Sequence, residues 1–233
     1  MIRAILFDMG GTLDGDGLHW LDRFAQVYAE AGLTVTRDAL RAAFDAAEER
    51  ASVDHDIVTA DFETMVARHV RWQLEHLRLE EPRAERQIAA SFVQPIRAVA
   101  QANSALLASL SHNGFLLGVV SNGCGNVDVL CRDFGFEPYL ATVIDSRRVR
   151  FYKPDPAIFA LAADRLGLPP SSIMMVGDSF DRDIRPAKAV GMQTAWLEGP
   201  VRRDCPAPAL VDLRLRALAE LPDALERRAQ DVA

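Results

Sequence analysis

Ile2-Arg3-Ala4-Ile5-Leu6-Phe7-Asp8-Met9-Gly10-Gly11-Thr12-Leu13 opens the chain. Residues 2–7 form a short apolar run stopped by a glycine-rich turn, the pattern of a buried strand. Asp8 therefore stands where the strand ends, and Gly10-Gly11 followed by Gly15-Asp16-Gly17 breaks the run. Downstream, the signal turns helical from residue 18 to about 92. Leu18, Leu21, Phe24, Ala25 and Tyr28 recur at helical spacing, with Gly32 as a stop. Further helices are expected over residues 38–50, 62–79 and 83–92. Strand signals return at 115–120, 140–144, 173–176 and 193–197. Helices separate them over 126–134, 156–166 and 184–190, and another runs from Pro95 to about residue 112. A last short strand is expected around Leu213 and Leu215, then a helix after Pro222 and a fraying tail from Arg227.

Alternating strand and helix predicts an α/β fold, a Rossmann-like parallel sheet with helices on both faces. Because no strand signal interrupts residues 14–92, that stretch is read as an inserted all-α domain, and residues 1–13 with 93–233 as the core. The 233 residues suit a core with a smaller insert. A net charge of −7 without a basic stripe speaks against nucleic acid as a partner. The three cysteines form neither a disulfide framework nor a zinc pattern, so reduced thiols in a cytoplasmic protein are expected. The N-terminal apolar stretch is too short for a signal peptide, and no apolar run approaches the ~20 residues that span a bilayer, so no membrane partner is expected.

In an open parallel sheet, ligands bind beyond the carboxyl ends of the strands. Asp8, Ser121-Asn122-Gly123 and Gly177-Asp178 all fall at such ends, and Lys153 follows another strand in Tyr152-Lys153-Pro154-Asp155-Pro156. Two carboxylates and an ammonium suit a hard cation shared with a phosphate. Four segments in order, Phe7 to Leu13, Val119 to Asn122, Lys153 to Pro156 and Val176 to Gly191, resemble the motifs of the haloacid dehalogenase-like superfamily. The resemblance implies a Mg²⁺-dependent hydrolase of a small phosphate ester. Asp8 would be the nucleophile, with Lys153 neutralising charge and Asp183 orienting it. Gly11, Thr12, Ser121, Asn122 and Lys153 would serve the phosphate, and Asp8, the Gly10 carbonyl and Asp178 the metal. The insert would be the cap that selects substrate. Monomer and homodimer both stay open.

One position departs from the family pattern. Phosphatases of the family usually carry a second aspartate two residues after the nucleophile, as general acid and base; here Gly10 stands there. Such assistance is worth roughly 10²–10⁴-fold. Either the leaving group needs little help, or Asp14, Asp16 or His19 substitutes. A metal-independent 2-haloacid dehalogenase and a non-catalytic binding relative are the alternatives. A phosphonoacetaldehyde-type hydrolase would need a cap lysine, and residues 14–92 contain none. Trp20, Phe24, Tyr28, Phe44, Phe62 and Trp72 are expected in the helical core, His69 and His76 at the surface, and Cys124 as a small loop residue.

Overall fold

A computed structural model describes residues 1–79, 82–200 and 203–231. Strand β1 (Ala4–Phe7) leads through a turn into α1 (Trp20–Glu30), α2 (Arg37–Val53), α3 (Phe62–Leu77) and α4 (Pro82–His112). Then follow β2 (Leu116–Ser121), α5 (Val127–Asp133), β3 (Leu140–Asp145), the short α6 (Ser146–Val149) and α7 (Ala157–Leu166). The chain closes with β4 (Ile173–Gly177), α8 (Arg185–Ala189), β5 (Gln193–Leu197), β6 (Leu213–Leu215) and α9 (Leu221–Asp231). The six strands form one parallel sheet ordered β3-β2-β1-β4-β5-β6. The expected fold class is therefore the observed one.

Strand alternation sorts the apolar side chains between two faces. Ile5 and Phe7 pack with the helices between β1 and β2, while Ala4 and Leu6 pack with α7 on the other side. The first cluster continues unbroken from the sheet into α1, α2, α3 and α4 through Phe24, Tyr28, Phe62 and Phe92. Helix starts follow their capping residues: Thr36 Oγ1 accepts from the Ala39 N–H (3.3 Å) and Asp61 from the Thr64 N–H (2.8 Å).

Two expectations change here. The helices expected over 83–92 and from Pro95 are one helix, α4, which runs across position 92/93. Pro95 lacks an N–H and removes one helical bond, but Phe92, Val93 and Ile96 around it are buried and hold the helix on course. The tail also remains helical from Leu221 to Asp231, against the expected fraying at Arg227. Its Arg228 guanidinium reaches Gln193 Oε1 at 2.5 Å, which ties the helix to β5. Among the described residues no helix is long and apolar enough to cross a membrane.

Candidate active site

Register places the functional groups. Phe7 lies level with Val119 on β2 and with Val176 on β4, so Asp8, Ser121 and Asp178 emerge together at the carboxyl edge. Strand order reverses around β1, which opens the crevice there. Residues 9–13 form wide turns, with the Leu13 N–H donating to the Asp8 carbonyl and the Asp14 N–H to the Met9 carbonyl. Gly11 sits at φ +85°, and a Cβ there would stand 2.9 Å from Asp178 Oδ2. Glycine is required at this point for both reasons.

Asp8, Asp178 and Asp183 bring carboxylate oxygens within 4.8 Å of one another, and all three residues are buried. Lys153 Nζ donates to Asp8 Oδ1 and Asp183 Oδ1, each at 2.6 Å. Burial alone would lower the Lys153 pKa, but Asp183 and Asp8 outweigh it and hold the ammonium above its usual value. Burial, with Asp8 and Asp183 alongside, raises Asp178 to about 8. Burial raises Asp183 to about 6, against the pull of Lys153. Three carboxylates and one ammonium leave the cluster short of positive charge. Its buried all-oxygen donor set, with Gly11 leaving room beside Asp178, fits a hard divalent cation.

The expected residues assume definite places. Thr12 Oγ1 accepts from the Asp178 N–H (3.1 Å) and lies 3.4 Å from Asp178 Oδ1, so it braces the β4 loop. Asn122 is bonded twice to the backbone of Lys153: Nδ2 donates to its carbonyl (2.9 Å) and Oδ1 accepts from its N–H (2.8 Å). Its side chain thus fixes the lysine loop. Gly11 departs from expectation. Its N–H donates to Asp14 Oδ1 at 2.7 Å and is not free for a phosphate oxygen.

A pocket of about 360 Å³ opens over Asp8, Gly10, Ser121 and Lys153, roofed by Trp20, Phe44 and Glu48 from α1 and α2. Of the three candidate substitutes for the missing acid, Asp16 does not line it and accepts from the Leu218 N–H at 2.7 Å. Asp14 and His19 do line it, yet both are engaged. Asp14 Oδ2 accepts from Trp20 Nε1 at 2.8 Å while Oδ1 holds Gly11, and burial raises its pKa to about 7. His19 Nδ1 caps α1 on the Leu21 N–H, and Nε2 lies 3.2 Å from the Arg182 guanidinium. Cys124 lines the pocket as a thiol, since burial pushes its pKa up to about 12.

His69 corrects the expectation of a surface histidine: it is 2% exposed. Glu48 on the neighbouring helix and Gln73 one turn on partner its two ring nitrogens, at 2.9 and 2.7 Å, which allows burial. No motif points to Glu48 or His69. The signal available is a histidine and a glutamine four apart on one helix face, and their partner on α2 is visible only in the fold.

Known proteins bear on this geometry. Residues 2–191 match the family model for haloacid dehalogenase-like hydrolases. The chain is 30% identical over 200 residues to an N-acetylmuramic acid 6-phosphate phosphatase of Pseudomonas putida, covering 83% of this chain and 82% of that protein. It is 32% identical over 121 residues to a phosphoserine phosphatase of Thermus thermophilus, covering 50% of this chain and spanning about half (47%) of that enzyme. A solved dehalogenase structure superposes with a TM-score of 0.65 at 21% identity, covering 94% of this chain and 95% of the other, a likeness of fold.

Proposed function

Because the chain belongs to the haloacid dehalogenase-like hydrolases, we propose that it is a Mg²⁺-dependent phosphatase acting on a small phosphate ester through an aspartyl-phosphate on Asp8. The observation that carries this reading is the buried group of Asp8, Asp178 and Asp183 around Lys153 at the floor of the pocket. The two phosphatase relatives support it. A metal-independent dehalogenase would have less use for a third buried carboxylate beside Asp8 and Asp183.

A carboxylate oxygen of Asp8 attacks phosphorus, and the bond from phosphorus to the leaving oxygen breaks as the aspartyl-phosphate forms. Water then cleaves that intermediate to inorganic phosphate and frees Asp8. Ser121 and the Asn122 N–H bind phosphate oxygens, and Lys153 stabilises the charge that develops on them. Asp183 fixes the ammonium from behind, as the Asn122 side chain fixes its backbone. Mg²⁺ held by Asp8, Asp178 and the Gly10 carbonyl would neutralise the remaining negative charge. With Gly10 in the acid position, the leaving group departs largely unaided, which favours aryl, acyl and sugar 1-phosphates. Residues 14–92 act as a cap over a core of residues 1–13 and 93–233, with α4 continuous between them. Arg147 holds the two together by donating to the Ala51, Asp54 and Cys124 carbonyls.

Phosphate release from aryl, sugar 1- and alkyl phosphates, with and without Mg²⁺, tests this for wild type and Asp8→Asn. Mg²⁺-dependent turnover that is lost in Asp8→Asn and rises steeply with leaving-group quality is expected. No release from any ester, with chelator-insensitive chloride release from 2-chloropropionate, would overturn it.

A further inference from the structure

The pocket is electrically lopsided. Its cations belong to the core side: Lys153 is paired with Asp8 and Asp183, and Arg182, at the exposed rim, lies against His19 and Ser179. The cap side contributes Asp45 and Glu48, three residues apart on α2 and so on one face, beside the apolar Trp20, Phe44 and Met65. Glu48 is partly solvated, its side chain 42% exposed, but one of its oxygens is anchored. His69, buried beneath it and stacked on Phe24 at 5.4 Å with 7° between the rings, meets Glu48 Oε1 through Nε2 at 2.9 Å. Gln73 Nε2 faces the other ring nitrogen at 2.7 Å. With that amide donating to Nδ1, a neutral ring carries its proton on Nε2 and donates it to Glu48. His69 is buried in the aromatic core and needs partners for both ring nitrogens, so its contact with the partly exposed Glu48 is held from the buried side. The result is a carboxylate with one oxygen anchored on the cap side of the pocket that Asp8 also lines.

Resting on the phosphatase reading, we propose that Glu48, aided by Asp45, is a specificity-determining residue that selects phosphate esters carrying an ammonium group at the end remote from the phosphate. The two carboxylates on the α2 wall favour this direction, with the Arg182 guanidinium on the core side. An ammonium meets a fixed carboxylate in a partly desolvated pocket and gains a charge-assisted hydrogen bond. A neutral hydroxyl gains only an ordinary one, and a remote carboxylate is repelled.

The test uses matched ω-aminoalkyl, ω-hydroxyalkyl and ω-carboxyalkyl phosphates of two to six carbons. Binding to the Asp8→Asn protein with Mg²⁺ is measured by calorimetry, and kcat/KM on the wild type. The aminoalkyl ester of best-fitting length is expected to bind about tenfold or more tighter than its hydroxyl counterpart, with the carboxyalkyl ester weakest. Glu48→Gln still offers His69 an acceptor oxygen and so preserves the cap. It should bring the amine-to-hydroxyl ratio to within about twofold of unity, through KM and not kcat. An amine-to-hydroxyl ratio near one in the Glu48 protein, or one that survives in Glu48→Gln, overturns the assignment. Because calorimetry needs no turnover, the role of Glu48 and the catalytic reading fail separately. Charge-selective binding without turnover would defeat the phosphatase alone, whereas aryl phosphate turnover without charge selectivity would defeat the role of Glu48 alone.

Discussion

Raising the pH of the cation-free protein from 6 to 8 should cost it stability, with Asp178 the largest contributor and Asp14 and Asp183 adding to it. In the folded chain burial and the neighbouring Asp8 and Asp183 raise this carboxyl to about 8, from an ordinary value of 3.8. The folded protein therefore holds a proton that the unfolded chain has already released. The stability this proton contributes is complete below the unfolded value and is lost as pH climbs to the folded one. Across pH 6 to 8 the loss at Asp178 is one proton or slightly less, ~1.4 kcal/mol per pH unit, hence about 2 kcal/mol for the interval, and Asp14 at about 7 with Asp183 at about 6 adds roughly 1–2 kcal/mol in the same direction. For a chain of this length the Asp178 share alone corresponds to roughly 4–8 °C in Tm. Scanning calorimetry in chelator at the two pH values reads it directly. Saturating Mg²⁺ should stabilise the protein more at pH 8 than at pH 6, because a cation favours the ionised carboxylates. Asp178→Asn should remove about half of the decline or more, leaving the share carried by Asp14. Equal melting at both pH values in chelator, or an undiminished decline in Asp178→Asn, would refute the charge balance described for the site.

Two glycines give opposite predictions. Gly10 lies at φ −71°, ψ 115°, and a Cβ there would meet nothing within 4 Å. Gly10→Asp should therefore fold and raise kcat/KM on alkyl phosphates by about 10–100-fold relative to aryl phosphates; an unchanged leaving-group dependence would show that the missing acid is not what limits the enzyme. Gly11→Ala faces both a φ of +85° and the Asp178 carboxylate, so a loss of about 1–3 kcal/mol in denaturant unfolding is expected. Mg²⁺ affinity should fall with it, and wild-type affinity by calorimetry would contradict the placement of Asp178.

What can be read from the residues divides along physical lines. β1, β2, β4 and β5 are legible because a short apolar run ending in a glycine or carboxylate turn has few other readings, and the site groups follow those strand ends. Pro95 misleads because its local preference for a helix start is weaker than the burial of Phe92, Val93 and Ile96 on either side of it. Gly11 misleads because its N–H partner, Asp14, is chosen by the turn's three-dimensional path. His69 is illegible for the same reason: what permits its burial is Glu48, twenty-one residues away on another helix. Aromatic residues divide as burial dictates, with Phe24, Tyr28 and Phe62 fully interior and Trp20 and Phe44 reaching the pocket as well.

The carboxylate absent at position 10 is not restored at position 14. A general acid needs an O–H directed at the leaving oxygen, within hydrogen-bond reach. Each oxygen of Asp14 instead receives an N–H, one from the nucleophile turn at Gly11 and one from Trp20 at the start of the cap. Those bonds act on position: they tie the turn that carries Asp8 to the first cap helix, so the cap roof is set relative to the nucleophile. Acid assistance and cap placement are thus separated, and only the second is built into this turn. A site organised this way gains rate mainly from how accurately the substrate is held. Binding energy gathered far from the phosphorus then matters more, because it can be used to fix the reacting groups in line. Glu48, anchored by His69 on the cap side of the pocket, is where the proposed reading places such remote binding energy.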